Sequence, residues 1–174
     1  MEKIFFAKNP AFPSSISAVK EILSTYFGID NAEICRTENG KPYLKNAKNP
    51  LHFSISHTKT GLFIAFSKEN VGIDAERMER TVRYQSILNK FPFEEREEIA
   101  CEEDFLRHWT VKESAIKWLG GTLAHDLKKL RYTNGLLHYN QLELPVHITT
   151  LRLEGHILSI CSDRDFSSAE FITL

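Results

Sequence analysis

The chain has 174 residues, 42% of them hydrophobic and 26% charged, which suits one good core or two small packed units and argues against disorder. Its 22 Lys and Arg against 23 Asp and Glu leave a formal net charge of −1, so no global basic field points to nucleic acid and any anion site must be local. Cys35, Cys101 and Cys161 are far apart without zinc-ligand spacing. The apolar run before Lys8 is too short for a signal-peptide core, and nothing later approaches a membrane span; the expected setting is reducing, cytoplasmic and away from membranes.

In chain order, a short apolar run from Ile4 to Ala7 precedes a helix over "SISAVKEILSTYFG", with Ile16, Val19, Leu23 and Phe27 on one stripe and a stop at Gly28. "ENGKPYL" carries the Asn39-Gly40 turn pair, and "LHFSISHTKTGLFIAF" reads as two strands joined at "TKTG". "VGIDAE" is a further strand, followed by a polar helical stretch from Arg77 to Glu103 interrupted at Pro92. A second clear helix, "DFLRHWTVKESAIKWLGG", stops at Gly120-Gly121, and strands return in "KKLRYTNGLLHY" and "LPVHITTLRLEGHILSICS".

The two halves align with each other. "AVKEIL" faces "TVKESA" and Gly28 faces Gly120 at an offset of 92, while Asn39-Gly40 faces Asn134-Gly135 and His52 faces His147 at an offset of 95. We therefore expect an α+β fold of two related units, residues 1–70 and 71–174, each a helix with a small antiparallel sheet, related by a pseudo-twofold axis. If "KIFFAK" and "VGIDAE" are equivalent strands, Phe5 and Ala7 stand where Asp74 and Glu76 stand, so a single asymmetric site is expected, in a monomer.

In a strand, Asp74 and Glu76 point the same way, roughly 7 Å apart. At an effective dielectric near 20 two such carboxylates repel by roughly 2 kcal/mol, which a solvated strand end tolerates and a semi-buried one must offset. On the second helix, Phe105, Trp109, Ile116 and Leu119 centre an apolar arc, with Glu113 and Lys117 at its margin. The last two make an ordinary i,i+4 pair. Lys112 falls inside the arc, which requires its stem to pack and its ammonium to find an anion. Three carboxylates without a His or Cys partner suit Mg²⁺ or Mn²⁺ that also takes phosphate oxygens, and lysines at the rim suit a diphosphate. Arg36, Lys41 and His57 form a second cluster upstream, each of which is equally readable as a solvated strand or turn residue.

"NGKPYL", "FSISHT", "VGIDAE" and "WTVKESAIKW", in this order over residues 34–120, resemble the signatures of the 4′-phosphopantetheinyl transferases, in particular the pseudo-dimeric surfactin-synthetase-activator type. The resemblance implies that an apo acyl or peptidyl carrier-protein serine attacks the β-phosphate of coenzyme A, phosphopantetheine moves to the serine, and 3′,5′-ADP leaves. It implies Asp74, Glu76 and Glu113 as ligands of Mg²⁺ or Mn²⁺, with Glu113 also the general base. Lys117 would hold the diphosphate and Lys112 would lie near the pantetheine and phosphates. Ser56, His57, Lys41 and Arg36 match positions that contact the nucleotide and its 3′-phosphate. "YQSILNKFPFEEREEI" resembles the segment that helps receive the carrier protein. Members of this type usually carry some tens of residues before the first helix, so a thinner nucleotide clamp is expected here. The rival readings are a non-catalytic or reduced-activity homologue that binds coenzyme A or the carrier, and a metal-dependent phosphohydrolase.

Overall fold

In the computed structural model, which describes residues 2–8, 12–45, 49–79 and 84–174, the first apolar run is strand β1 (Lys3–Lys8). Helix α1 (Ser15–Phe27) follows, opened by a capping box between Ser14 and Ser17 and closed at Gly28. It buries Ala18, Val19, Ile22 and Leu23. The hairpin β2 (Ile34–Arg36) and β3 (Pro42–Leu44) carries the Asn39-Gly40 turn, and β4 (His52–His57) and β5 (Gly61–Ser67) form the next hairpin. β6 (Val71–Arg77) is the "VGIDAE" strand.

The polar stretch expected to be helical from Arg77 to Glu103 is mostly not helix. β6 runs through Arg77, and beyond it lie only two single turns, α2 (Gln85–Leu88) and α3 (Phe93–Arg96); residues 80–83 are outside the described part. Pro92 stands immediately before α3, where its missing N–H costs nothing. Helix α4 (Glu102–Leu119) follows, ending at Gly120 with φ 68°, a left-handed cap that favours glycine. After α5 (Leu123–Asp126) come β7 (Leu130–Thr133), β8 (Leu136–Tyr139), β9 (Leu142–Glu143), β10 (His147–Leu153), β11 (His156–Ser162) and β12 (Glu170–Thr173).

The architecture is α+β. One sheet runs β12-β1-β5-β4 and another β10-β11-β6, with the β2-β3 and β7-β8-β9 ribbons apart. All pairings are antiparallel except β1 with β12, which is parallel and brings the C-terminal segment back beside the first strand. Among the described residues, three cores follow from this arrangement. α1 packs with Phe5, Phe53, Ile64 and Phe66; α4 packs with Leu130, Ile157 and Cys161; a middle core mixes Ile4, Phe6 and Phe63 with Val71, Ile73, Leu158 and Ile160. The alternation of β6 decides its faces: Val71, Ile73 and Ala75 enter the middle core, which turns Gly72, Asp74 and Glu76 toward α4.

Candidate active site

Besides its ladder with β11, two contacts set the position of β6. The first is a seam with β4, the edge strand of the other sheet, to which no backbone ladder joins it. The Ile73 N–H donates to Ser54 Oγ and the Ala75 N–H to Ser56 Oγ, each at 3.1 Å, so two serine hydroxyls replace the missing ladder and satisfy buried amides. The second is a backbone-close approach to α4. A Cβ at Gly72 would stand 2.0 Å from the Ser114 carbonyl oxygen and 2.5 Å from the Trp118 amide nitrogen, so only glycine admits the helix this near. Ser114 is fully buried against this strand, which fixes the rotation of α4 and sets Glu113 and Lys117 beside it.

At the centre lies Asp74, only 5% exposed. Its Oδ1 accepts from Ser56 Oγ at 3.0 Å and from Lys117 Nζ at 2.7 Å. Lys117 also donates to the Ile73 carbonyl at 2.9 Å, so two of its three ammonium protons are placed by β6. Asp74 Oδ2 is buried with no hydrogen-bond partner among the described residues. A buried carboxylate oxygen in that condition carries a desolvation penalty of roughly 1–3 kcal/mol unless something approaches it. Glu76 follows on the same face, half-buried, and Glu113 is half-buried one helical turn before Lys117. The structure thus joins Ser56, Asp74 and Lys117 directly. The cation that offsets Asp74 here is the Lys117 ammonium.

Among the described residues no group of three or more His, Cys, Asp or Glu side chains forms a ready metal cage. The donor chemistry nevertheless fits a hard divalent cation: the open Asp74 Oδ2, Glu76 and Glu113 offer oxygens alone.

The other expected site residues are dispersed. His57 is exposed and lines a cavity of about 290 Å³ with Ser14, Ser15, Thr58 and Lys59. Arg36 is exposed and donates to the Gly40 carbonyl at 2.7 Å. Lys41 borders a cavity of about 400 Å³. Its ammonium, however, bonds Asn70 Oδ1 at 2.8 Å and the Val71 and Trp118 carbonyls at 3.3 Å. Burial lowers its pKa to about 8, with Cys161 and Asp163 pulling the other way. Lys41 therefore braces the β2-β3 turn on the C-terminal end of α4, where Asn39 also donates to the Gly120 carbonyl at 2.8 Å.

Lys112 lies buried inside the apolar arc, as the wheel reading places it. The wheel reading required an anion for it, and the anion is Glu95 of α3: Lys112 Nζ donates to Glu95 Oε2 at 2.7 Å and sits 4.0 Å from the centre of the Phe91 ring. Both Lys112 and Glu95 are wholly buried, and through Glu95 and Phe91 the Lys112 side chain packs on the 91–99 segment. Burial pulls its pKa below the ordinary lysine range, opposed by Glu95. The buried surface of α4 is wider than the four residues that centre its apolar arc. Leu119 is exposed and Trp109 only partly buried, while Leu106, His108, Thr110 and Ala115 are buried, because α4 is covered on more than one side.

Sequence reasoning missed Ser54, Glu95 and His108. A signal existed for Ser54: two small hydroxyl residues two apart in "FSIS" share one face of a strand. None existed for Glu95, one of four nearly consecutive glutamates in "EEREE".

A family model described as the 4′-phosphopantetheinyl transferase superfamily matches residues 70–161, from the start of β6 almost to the end of β11. The chain is 28% identical over 169 residues to the 4′-phosphopantetheinyl transferase ffp of Bacillus subtilis, covering 84% of this chain and 70% of that protein. It is 29% identical over 160 residues to the transferase gsp of Aneurinibacillus migulanus, covering 83% and 65%, and 26% identical over 161 residues to Sfp of Bacillus subtilis (strain 168), covering 83% and 70%. The chain thus spans about two thirds of the length of these relatives. The match takes in the acid strand, α4 and the strand that pairs with β6, and the chain belongs to the 4′-phosphopantetheinyl transferase superfamily.

Proposed function

We propose that this protein moves the 4′-phosphopantetheine group of coenzyme A onto a serine of an apo acyl or peptidyl carrier protein, with Mg²⁺ or Mn²⁺ as cofactor. The observation that supports the site assignment is the buried Asp74 Oδ2, without a hydrogen-bond partner among the described residues, next to Lys117 and on the strand face shared with Glu76. Asp74, Glu76 and Glu113 hold the ion, which when bound neutralises developing charge on the diphosphate. Lys117 keeps two protons on Asp74 and Ile73 and offers the third to a phosphate oxygen. Glu113 takes the serine proton, directly or through a water. The serine oxygen forms a bond to the β-phosphorus, the bond from that phosphorus to the bridging oxygen breaks, and 3′,5′-ADP departs with the electron pair. Ser56 orients Asp74, while His57, Arg36 and the hairpin braced by Lys41 provide the nucleotide side.

In this reading residues 1–70 and 71–174 are the two units of a pseudo-twofold arrangement, acting as a monomer in the cytoplasm, with the metal ligands in the second unit alone. The repeated element order, a strand, a helix closed by a left-handed glycine and two hairpins, supports it. The test mixes the pure protein, coenzyme A, Mg²⁺ and a panel of apo carriers of fatty-acid, polyketide and peptide synthesis, read by intact mass. Gain of one phosphopantetheine on at least one carrier is expected. No gain on any carrier, with coenzyme A still bound, would replace this reading by that of a binding module.

A further inference from the structure

The proposed transfer leaves one buried charge network without a role. Lys112, Glu95 and His108 are 0%, 0% and 4% exposed, and nothing in the site uses them directly. Glu95 takes Lys112 Nζ on one oxygen at 2.7 Å and has His108 Nδ1 3.2 Å from the other. His108 Nε2 in turn lies 3.8 Å from Glu98 Oε2, and Glu98 accepts from the Asn134 backbone N–H at 3.0 Å. The chain of contacts therefore runs from α4 through α3 to the β7-β8 turn. A buried ion pair is poor at stabilising a core, since apolar residues of similar volume commonly serve as well or better. What it does supply is one allowed arrangement, because any other leaves a buried charge unpaired.

The location of that arrangement matters. Successive residues of a helix are rotated by about 100°, so Glu113 projects midway between the directions of Lys112 and Ser114. Ser114 is held by the backbone-close contact of α4 with Gly72, and Lys112 by Glu95 on the other side. The helix is gripped at both neighbours of the proposed base.

We propose that Lys112, Glu95 and His108 form a positioning network that locks the 91–99 segment onto α4 and so fixes the azimuth of Glu113 toward Asp74 and Glu76. Lys112 then acts on transfer through the helix, without touching coenzyme A. This inference rests on the proposed transfer for its kinetic part only.

The test compares Lys112→Met, Glu95→Leu and the double variant by unfolding, transfer kinetics and hydrogen exchange. Each single variant strands a buried charge and is expected to lower Tm by about 10 °C, whereas the double variant returns to within about 3 °C of the parent. In the double variant kcat is expected to fall roughly 30-fold with KM for coenzyme A changed less than about threefold. Amides of residues 93–99 are expected to exchange at least about tenfold faster in it, with the β6 and β11 amides unchanged. A stable double variant with parental kcat would reduce the network to packing and overturn the proposal. A rise in KM for coenzyme A at parental kcat would overturn it too, by making Lys112 a direct ligand. If the parent protein transfers nothing, the proposed function fails, and the exchange rates alone decide whether the network holds the segment: unchanged protection at 93–99 refutes it.

Discussion

Asp74 is the residue on which the site turns, and its two oxygens are treated differently by the fold. Oδ1 is satisfied by Ser56 and Lys117, whereas Oδ2 is sealed from water without a partner among the described residues. The strand alternation that puts it there also puts Glu76 on the same face, which was readable from "VGIDAE" alone; that a lysine four residues after Glu113 would supply the offsetting charge was not, because it depends on how closely α4 approaches. For Glu113, the near-isosteric change to Gln removes the proposed base while preserving shape. It is expected to lower kcat for carrier modification by roughly 10²- to 10⁴-fold and to leave the unfolding midpoint unchanged. Stopped transfer together with lost folding would instead mark Glu113 as structural. Lys41 gives a pH prediction. Its folded pKa is lowered to about 8, so the unfolded chain binds more protons between about 8 and its ordinary 10.5, and wild-type stability relative to Lys41→Met rises with pH across that window. The expected gain is on the order of 2 kcal/mol after allowing for partial exposure, read by urea unfolding at pH 7.5 and 10.5.

At the scale of elements, the seam between β4 and β6 and the contact between β6 and α4 hold the site together. Both depend on very small side chains, Ser54 and Ser56 in the first and Gly72 in the second. Gly72→Ala would drive a methyl group into the backbone of α4, which has no flexible side chain to yield at that point. It is expected to cost about 3 kcal/mol or more in urea unfolding and to remove transfer activity in the fraction that still folds. A variant with parental stability would show that the helix can retreat from the strand. The helices and hairpins themselves were legible because their signals are local. Gly28 and Gly120 close α1 and α4, and "NG" marks both ribbons' turns. The stretch after Arg77 misled because polar helical composition there describes solvent exposure as well as it describes helix; Phe93 and Glu94, for example, are exposed on the single turn α3.

At the scale of the molecule, the middle core ties Ile4, Phe6 and Phe63 to Val71, Ile73, Leu158 and Ile160. What the sequence did not reveal is long-range. β12 pairs in parallel with β1 from the far end of the chain, an association with no local marker, and Lys112 meets Glu95 across a gap of 17 residues. The residues proposed for the nucleotide side came from the family signatures, and their geometry was not readable from the sequence. Arg36 donates to the Gly40 carbonyl, Lys41 to Asn70 Oδ1 and two backbone carbonyls, and His57 borders the 290 Å³ cavity. No helix is long and apolar enough to cross a membrane among the described residues. The three cysteines are free, and Cys161 is buried in the α4 core, where burial raises its pKa well above the thiol range and leaves it inert.

The most direct test of the acid strand's role is calorimetric titration of coenzyme A into the parent protein and Asp74→Asn, each with and without Mg²⁺. Mg²⁺ is expected to raise the parent's affinity at least about tenfold and to leave the variant's unchanged, since the substitution removes the open carboxylate oxygen. An equal Mg²⁺ effect on both proteins would show that the ion is held elsewhere and would contradict the assignment.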